Sequence, residues 1–312
     1  MSKQFAPSLI IVDVGHGNAS VLLDSKGVVV FDTGKGPELL EFLHSSRIHN
    51  VKRLILSHSD DDHIGNASRL LLDDKIKVSE VYFNSDPSKD TDSHQQLQIA
   101  ILTARRQRKT IPNPGLCSSL TGKLNCGDVS IEVLYPPAES LVSGVGGRNV
   151  RGKRNTSNSL SAAIRLSYLH KPLVLLGGDV GFECLDFWDA ERMSAKAEVM
   201  VFPHHGGSPG DGDAATFAEA VLSKVSPKYI VFSIHRSRFN LPREDIVNCI
   251  LNCNPKVKML CTQLPERLQK DLTKVAAWSL HRSRRKIGKN MWWEGTICVQ
   301  FKNGKAKVKR HR

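Results

Sequence analysis

Two histidines and three aspartates fall within six residues at His58-Ser59-Asp60-Asp61-Asp62-His63, directly after the apolar run Leu54-Ile55-Leu56. Carboxylates packed this closely raise one another's pKa and destabilise a fold unless a cation or hydrogen-bond donors compensate. A bound metal ion meets that need. The constraint on the fold is then specific: a strand must end in this loop, and other strands must end nearby to complete the ligand set.

The rest of the chain supplies such strands. Leu9-Ile10-Ile11-Val12 is a short apolar run that ends in Asp13-Val14-Gly15-His16-Gly17-Asn18. Val21–Leu23 and Val28–Phe31 flank the polar stretch Asp24-Ser25-Lys26-Gly27, which reads as a hairpin. Leu39, Leu40, Phe42 and Leu43 after Pro37 have helical spacing, Ile76–Phe83 reads as a strand, and Leu97, Ile101, Leu102 and Ala104 predict an amphipathic helix from Asp92 to about Lys109. The cations Arg105, Arg106, Arg108 and Lys109 at its end complement the helix dipole. Val129–Tyr135, Leu160–Leu166 and Leu173–Leu176 follow as strands, the last ending in Gly177-Gly178-Asp179. After a helical Phe182–Met193, Val199–Phe202 runs into Pro203-His204-His205, and Tyr229–Ile234 runs into His235-Arg236-Ser237-Arg238. Pro242-Arg243-Glu244-Asp245 opens a helix, and Val257–Leu260 and Thr296–Phe301 complete the strands.

Asp13, the His58–His63 loop, Asp179 and His204/His205 thus all follow predicted strands, so sheet ends facing one side would gather them into one site. Placing the strands before Leu166 in one sheet and those after it in another, each with helices outside, predicts an α/β fold: a four-layer α/β/β/α sandwich. The expected organisation is one hydrolase domain over 1–301 and a basic C-terminal tail over 302–312.

Charge and cysteines narrow the class. The formal net charge is +13, but Arg282–Arg312 carries eleven Lys/Arg against the single acid Glu294, leaving only +3 for the preceding 281 residues. A basic end on a nearly neutral body suits an anionic partner such as DNA, with salt-sensitive affinity. Seven cysteines without a CxxC pair argue against a disulfide framework or a zinc ribbon, and Cys249 and Cys253 read as ordinary thiols. No apolar run approaches the roughly 18 residues of a crossing helix, so no membrane role and a cytoplasmic location are expected.

The chemistry expected of these ligands is hydrolysis by two divalent metal ions about 3.5–4 Å apart sharing a hydroxide, in an in-line displacement at phosphorus. His58 and Asp60 are assigned to the first ion and Asp62, His63 and His205 to the second, with Asp179 bridging and His204 in reserve. Asp62, Asp179 and His205 are the catalytic candidates. Substrate-binding candidates are Arg148 and Arg151 on the glycine-rich loop Ser143–Arg154, together with Asn155, Asn158, Arg238 and Asn240. His16 and His235 are candidates to hold a phosphate or to protonate a leaving oxygen. Trp292-Trp293 reads as core in preference to a base-stacking pair.

Ser57-His58-x-Asp60-x-Asp62-His63-x-Gly65 resembles the signature of the metallo-β-lactamase superfamily, with Asp60 where many members have histidine. Within it, Asp13-Val14-Gly15-His16-Gly17-Asn18-Ala19, Asp32-Thr33-Gly34, Asn155-x-x-Asn158-Ser159-Leu160, Leu176-Gly177-Gly178-Asp179 and Pro203-His204-His205-Gly206 are similar, in order, to motifs of the hydrolase domain of the DNA-uptake protein ComEC, over about Leu9–Phe301. The resemblance implies a DNA nuclease without a membrane channel, and a protein partner could supply targeting. Departures are His16 and Asn18 for a usual glutamine and aspartate, Asn66 for glycine, and Leu241-Pro242 for His-Pro. Asn155 or Asn158 stands near where a third-motif histidine would be. The resulting oxygen-rich first site implies Mn²⁺ or Mg²⁺ in preference to Zn²⁺. Other readings are hydrolysis of a small phosphodiester, phosphorylcholine ester or lactone, or a catalytically weakened nucleic-acid-binding subunit.

Overall fold

The structure is a computed structural model that describes residues 5–149, 152–266 and 285–311. The first sheet takes its strands from both ends of the chain. Its order is β16-β15-β1-β2-β3-β4-β5-β6, from β1 (Ser8–Ile11), β2 (Ser20–Asp24), β3 (Gly27–Phe31), β4 (Asn50–Ile55), β5 (Lys77–Phe83), β6 (Ile111–Pro114), β15 (Ile297–Lys302) and β16 (Lys305–Arg310). The second sheet has the order β13-β14-β12-β11-β10-β9-β8-β7, from β7 (Val129–Tyr135), β8 (Ala163–Tyr168), β9 (Lys171–Leu176), β10 (Val199–Val201), β11 (Tyr229–Phe232), β12 (Lys258–Cys261), β13 (Arg285–Gly288) and β14 (Met291–Trp293). The division expected at Leu166 is therefore wrong. β7 and β8 pair antiparallel with the second sheet, and the C-terminal strand β15 returns to pair with β1.

Helices α1 (Glu38–Ser45), α2 (Asp61–Ile64), α3 (Ala67–Leu72) and α4 (Asp92–Arg106) follow the strands of the first sheet. α5 (Ala138–Ser143), α6 (Phe182–Ala190), α7 (Ala214–Val225) and α8 (Glu244–Cys253) accompany the second. Side-chain alternation along the strands builds the layers. Leu9, Ile11, Leu22, Val29 and Ile55 point to a core shared with Ile131, Val174, Val201 and Leu260 of the opposite sheet. Ile10, Val21, Val28 and Leu54 point the other way, to Leu39, Leu43, Leu70 and Leu97 of α1, α3 and α4. Met200, Ile230 and Met259 pack outward on Trp188, Phe217, Val221 and Ile250 of α6, α7 and α8. The result is the four-layer α/β/β/α sandwich. Strands covered on both faces need unbroken apolar runs, which is why these read as solid hydrophobic blocks.

The β2–β3 hairpin closes with Asp24 opposite Gly27, tighter than the polar stretch suggested. Residues 305–310, expected in a solvated tail, form the edge strand β16. Lys305, Lys307 and Lys309 are exposed while Ala306 and Val308 pack on the inter-sheet core, a period-two pattern that suits a charged sheet edge. Trp293 is buried with its indole N–H donated to the Thr262 carbonyl, 3.0 Å, and Trp292 is partly buried against the inter-sheet core. All seven cysteines are free. Among the described residues, no helix is long and apolar enough to cross a membrane.

Strands β3 to β6 run parallel to one another, as do β9 to β12, so their C-terminal ends and the loops that follow gather at one rim of the sandwich. Ligand sites in open α/β sheets lie outside such ends.

Candidate metal centre

Beyond β4, the backbone turns at Asp60 (φ −78, ψ 145) into the one-turn helix α2, which carries Asp62 and His63 inward. Thr33 holds that turn from β3: its N–H and hydroxyl both donate to the His63 carbonyl, at 2.7 and 3.0 Å. Asp179 follows β9 and His204/His205 follow β10. Both histidines take left-handed backbone angles, φ 50 and 56, a strain that costs about 1–2 kcal/mol per residue. Such strain is characteristic of functional sites, where the surrounding packing enforces it.

One ligand atom from each of Asp62, His63, Asp179 and His205 lies within 4.8 Å of every other. Asp179 Oδ1 is 3.2 Å from His63 Nε2 and 3.7 Å from His205 Nε2, and Asp62 Oδ2 is 3.1 Å from His205 Nε2 and 3.8 Å from His63 Nε2. The other oxygen of Asp179 faces different residues. Its Oδ2 lies 3.5 Å from His204 Nδ1 and 3.9 Å from His58 Nε2, which is also 3.9 Å from Asp60 Oδ2. Asp61 turns outward to Lys35, 3.5 Å away.

The electrostatics call for a cation. Burial opposes charge on His63, yet the carboxylates of Asp179, Asp32 and Asp62 outweigh it and raise its pKa well above the ordinary value. Burial would likewise raise Asp62 and Asp179, but the charge of His63, with further help from His205, holds both below the usual carboxylate range. His58 goes the other way: burial, reinforced by His63, pushes it down to about 4, so it is a neutral donor. His58 Nε2, His63 Nε2 and Asp179 Oδ1 are buried without hydrogen-bond partners; His63 Nε2 faces Asp179 Oδ1 and His58 Nε2 faces the other oxygen of the same carboxylate, as donors around a metal site would. The mixed imidazole and carboxylate donors fit a divalent ion.

The sequence profile of the metallo-beta-lactamase superfamily matches residues 12–184, a span holding β2 to β9 and every one of these donors except His204 and His205. The chain belongs to the metallo-beta-lactamase superfamily. Solved structures similar to this superfamily member include the metallo-beta-lactamase fold protein YhfI from Bacillus subtilis, at 12% identity and TM-score 0.50, covering 82% of this chain and 96% of that one. Tm1679, a metal-dependent hydrolase of the beta-lactamase superfamily, is similar at 14% identity and TM-score 0.50, covering 82% and 95%. At these identities the likeness is one of fold. No curated protein matches the chain.

In this superfamily chain the groups behind the donors matter as much as the donors. Asp32, at φ 54 just beyond β3, accepts from the Ser57 N–H at 2.7 Å, from the Ser57 hydroxyl at 2.9 Å and from His63 Nδ1 at 2.8 Å. His58 Nδ1 lies 3.0 Å from Ser57 Oγ and 3.1 Å from Ser161 Oγ, and Ser161 Oγ also accepts from the Asp179 N–H at 2.9 Å. Both imidazoles are thereby anchored through Nδ1, leaving Nε2 to the cluster. Asp32 and Ser57 stand in motifs legible in the sequence, but their supporting roles, and that of Ser161, were not assigned from it. Lys89 was missed altogether; its Nζ contacts Asp60 Oδ1 at 2.5 Å.

The substrate candidates divide. His16 reaches the cluster, with Nε2 3.3 Å from Asp62 Oδ2 and its ring between His205 (centroids 4.6 Å) and Phe239 (4.5 Å). Burial, with His205 adding to it, pushes His16 down to about 4. Arg238 and Asn240 flank Phe239 on the exposed loop beside His16. Asn155 is spent elsewhere: its amide donates to Ser143 Oγ and the Gly144 carbonyl, closing the glycine-rich loop. Asn158 sits in a short 3-10 turn and takes the Ser161 N–H on its carbonyl, 3.0 Å. Arg148 is exposed and donates to the Gly152 carbonyl, and Arg151 lies outside the described residues. His235 and Asp13 line a separate cleft of about 970 Å³ with Arg236, Gln263 and Trp293. Asp13 therefore does not join the cluster, contrary to expectation. Its carboxylate is held by Gln263 Nε2 at 3.0 Å and the Gly15 N–H at 3.3 Å, and its own N–H goes to Thr296 Oγ1 of the stretch leading into β15.

Proposed function

We propose that the chain is a metal-dependent phosphodiester hydrolase acting on DNA. Superfamily membership and the Asp62, His63, Asp179, His205 group support metal-dependent hydrolysis. The observation that carries the choice of DNA is Phe239. This ring is 69% exposed, packs on His16, which itself contacts Asp62, and directly follows the exposed Arg236-Ser237-Arg238 on the same loop. A bare aromatic face among cations at the mouth of a metal centre suits a base stacked beside a phosphate held by guanidinium groups. The basic C-terminal stretch and the likeness of the motifs to those of the ComEC hydrolase domain support the same substrate class.

Asp62, His63, Asp179 and His205 would hold a divalent ion, which when bound would supply Lewis-acid polarisation to a phosphoryl oxygen. The protein's own residues do the rest. Asp32 keeps the Nδ1 proton on His63, and Ser57 and Ser161 hold the His58 ring. His16, uncharged at neutral pH, is positioned to hold Asp62 through an imidazole N–H. Half of the four donors are carboxylates and none is a thiolate, so Mn²⁺ or Mg²⁺ is expected to support turnover better than Zn²⁺.

The test is incubation of wild type and Asp179→Ala with single- and double-stranded DNA under Mn²⁺, Mg²⁺ and Zn²⁺, with a small chromogenic phosphodiester alongside. Cleavage of DNA by wild type and its loss, by a factor of at least about 10³, in Asp179→Ala is expected. Equal cleavage by the two proteins would sink the site, and turnover of the small ester without DNA cleavage would replace the substrate.

A further inference from the structure

We infer that Lys89 occupies, with its ammonium group, the role of the first metal ion, so that this chain holds one divalent ion at Asp62, His63, Asp179 and His205 and a protein cation beside Asp60. The inference rests on reading the cluster as a metal centre, and concerns how many ions it takes.

Lys89 is placed with care. It lies in the loop between β5 and α4, where buried Asp86 accepts from both the N–H and the hydroxyl of Ser88, at 3.1 and 2.7 Å, while the Lys89 N–H donates to the Asp86 carbonyl at 3.2 Å. The Lys89 carbonyl in turn faces Nδ1 of buried His94, 3.2 Å away, at the start of α4, whose first turn is capped by Thr91. This anchoring directs the side chain, which is 25% exposed, back to Asp60.

Asp60 stands where many superfamily members have a histidine. An imidazole there would be a neutral donor with no use for a cation next to it. A carboxylate brings one more negative charge, and its Oδ1 is taken by Lys89 Nζ at 2.5 Å. A second divalent ion on the remaining oxygen of Asp60 would stand beside an ammonium group in a partly buried site, where like charges repel strongly. Asp60 is also not among the four donors that come within 4.8 Å of one another, Asp62, His63, Asp179 and His205; its Oδ2 lies 3.9 Å from His58 Nε2. The sequence substitution and the lysine thus compensate each other. Chemically, Lys89 would offer N–H donors and a fixed positive charge to a phosphate oxygen where a second ion would otherwise do so.

Metal stoichiometry decides it without reference to turnover. Wild type, Lys89→Gln and Lys89→Arg would be dialysed against Mn²⁺, and bound manganese per chain measured by mass spectrometry, with electron paramagnetic resonance reporting any spin-coupled pair. One ion per chain and no coupled signal are expected for wild type and Lys89→Arg, and two ions with a coupled signal for Lys89→Gln. Two ions on wild type, or one on both wild type and Lys89→Gln, would overturn the inference. The wild-type count stands even if a variant fails to fold. No bound ion in any protein would instead overturn the metal centre itself.

Discussion

The carboxylate of Asp32 accepts a 2.8 Å hydrogen bond from Nδ1 of His63, thirty-one residues away. A carboxylate can only accept, so a proton sits on Nδ1, and Nε2, which faces Asp179 and Asp62, is the nitrogen left to give its lone pair to an ion bound in place of a proton. Replacing Asp32 with asparagine lets the amide donate instead, which reverses the tautomer. Asparagine also tolerates the left-handed backbone at this position, φ 54. Asp32→Asn is therefore expected to fold normally and to lose about 10- to 100-fold in metal affinity. Isothermal titration with Mn²⁺ checks this, and unchanged affinity would remove Asp32 from the site.

Gly17 comes close to the other side of the same turn. A Cβ there would lie 2.2 Å from the Asp62 carbonyl oxygen, and its φ of 130 suits glycine alone. Gly17→Ala should push α2 out of register, cost about 1–3 kcal/mol in denaturant unfolding and weaken metal binding. Gly122→Ala is the control, because its φ of 80 is also left-handed but nothing lies within 4 Å. That variant should lose some stability and keep its metal affinity.

Asp13 gives a pH signature separate from the metal. Burial is the main cause of its rise to about 6, opposed by the hydrogen bond from Gln263. A raised carboxyl pKa means the fold favours the protonated form. Its contribution to stability is full below about pH 4 and is lost as pH rises through 6. Asp13→Asn keeps an oxygen to accept from Gln263 and Gly15 but carries no charge. It should be more stable than wild type at pH 8, on the order of 2 kcal/mol, with the gap closing between pH 6 and 4. Thermal unfolding of both proteins in chelator across that range would show it, and a constant gap would count against the ionisation.

Phe239 separates substrate binding from folding. At 69% exposure, its replacement by alanine should change stability by less than about 0.5 kcal/mol. Loss of a stacking face should weaken single-stranded DNA binding by about 1–3 kcal/mol, with less effect on a small phosphodiester. Fluorescence anisotropy with a labelled oligonucleotide measures it, and equal affinity for wild type and Phe239→Ala would argue against stacking.

The fold also changes how the basic end should be probed. Removing Arg282–Arg312 would take away β15, which pairs with β1 through Ile297, Cys298, Val299 and Gln300, so loss of DNA binding after such a truncation would be confounded with unfolding. Glutamine at Lys305, Lys307 and Lys309, all exposed on the edge strand, isolates the charge.

By itself the sequence determined the strands that end in ligands, the helical periodicity outside them and the grouping of His58, Asp60, Asp62 and His63, because these depend on neighbours within a few residues. The short run Lys305–Arg310 was read as a tail, since alternating lysines become a strand only when β15 lies beside them. Which strand joins which sheet depends on pairings between residues hundreds apart, such as Ile10 with Cys298. Tertiary structure alone decided that Asp13 faces Gln263 and not the cluster, that Asp179 divides its two oxygens between His63/His205 and His58/His204, and that Lys89 reaches Asp60. Each of these is a contact of about 2.5 to 4 Å between side chains on separate loops. Local propensity reports backbone conformation and the chemistry of each residue, whereas such contacts depend on where the packed sheets carry the loop ends.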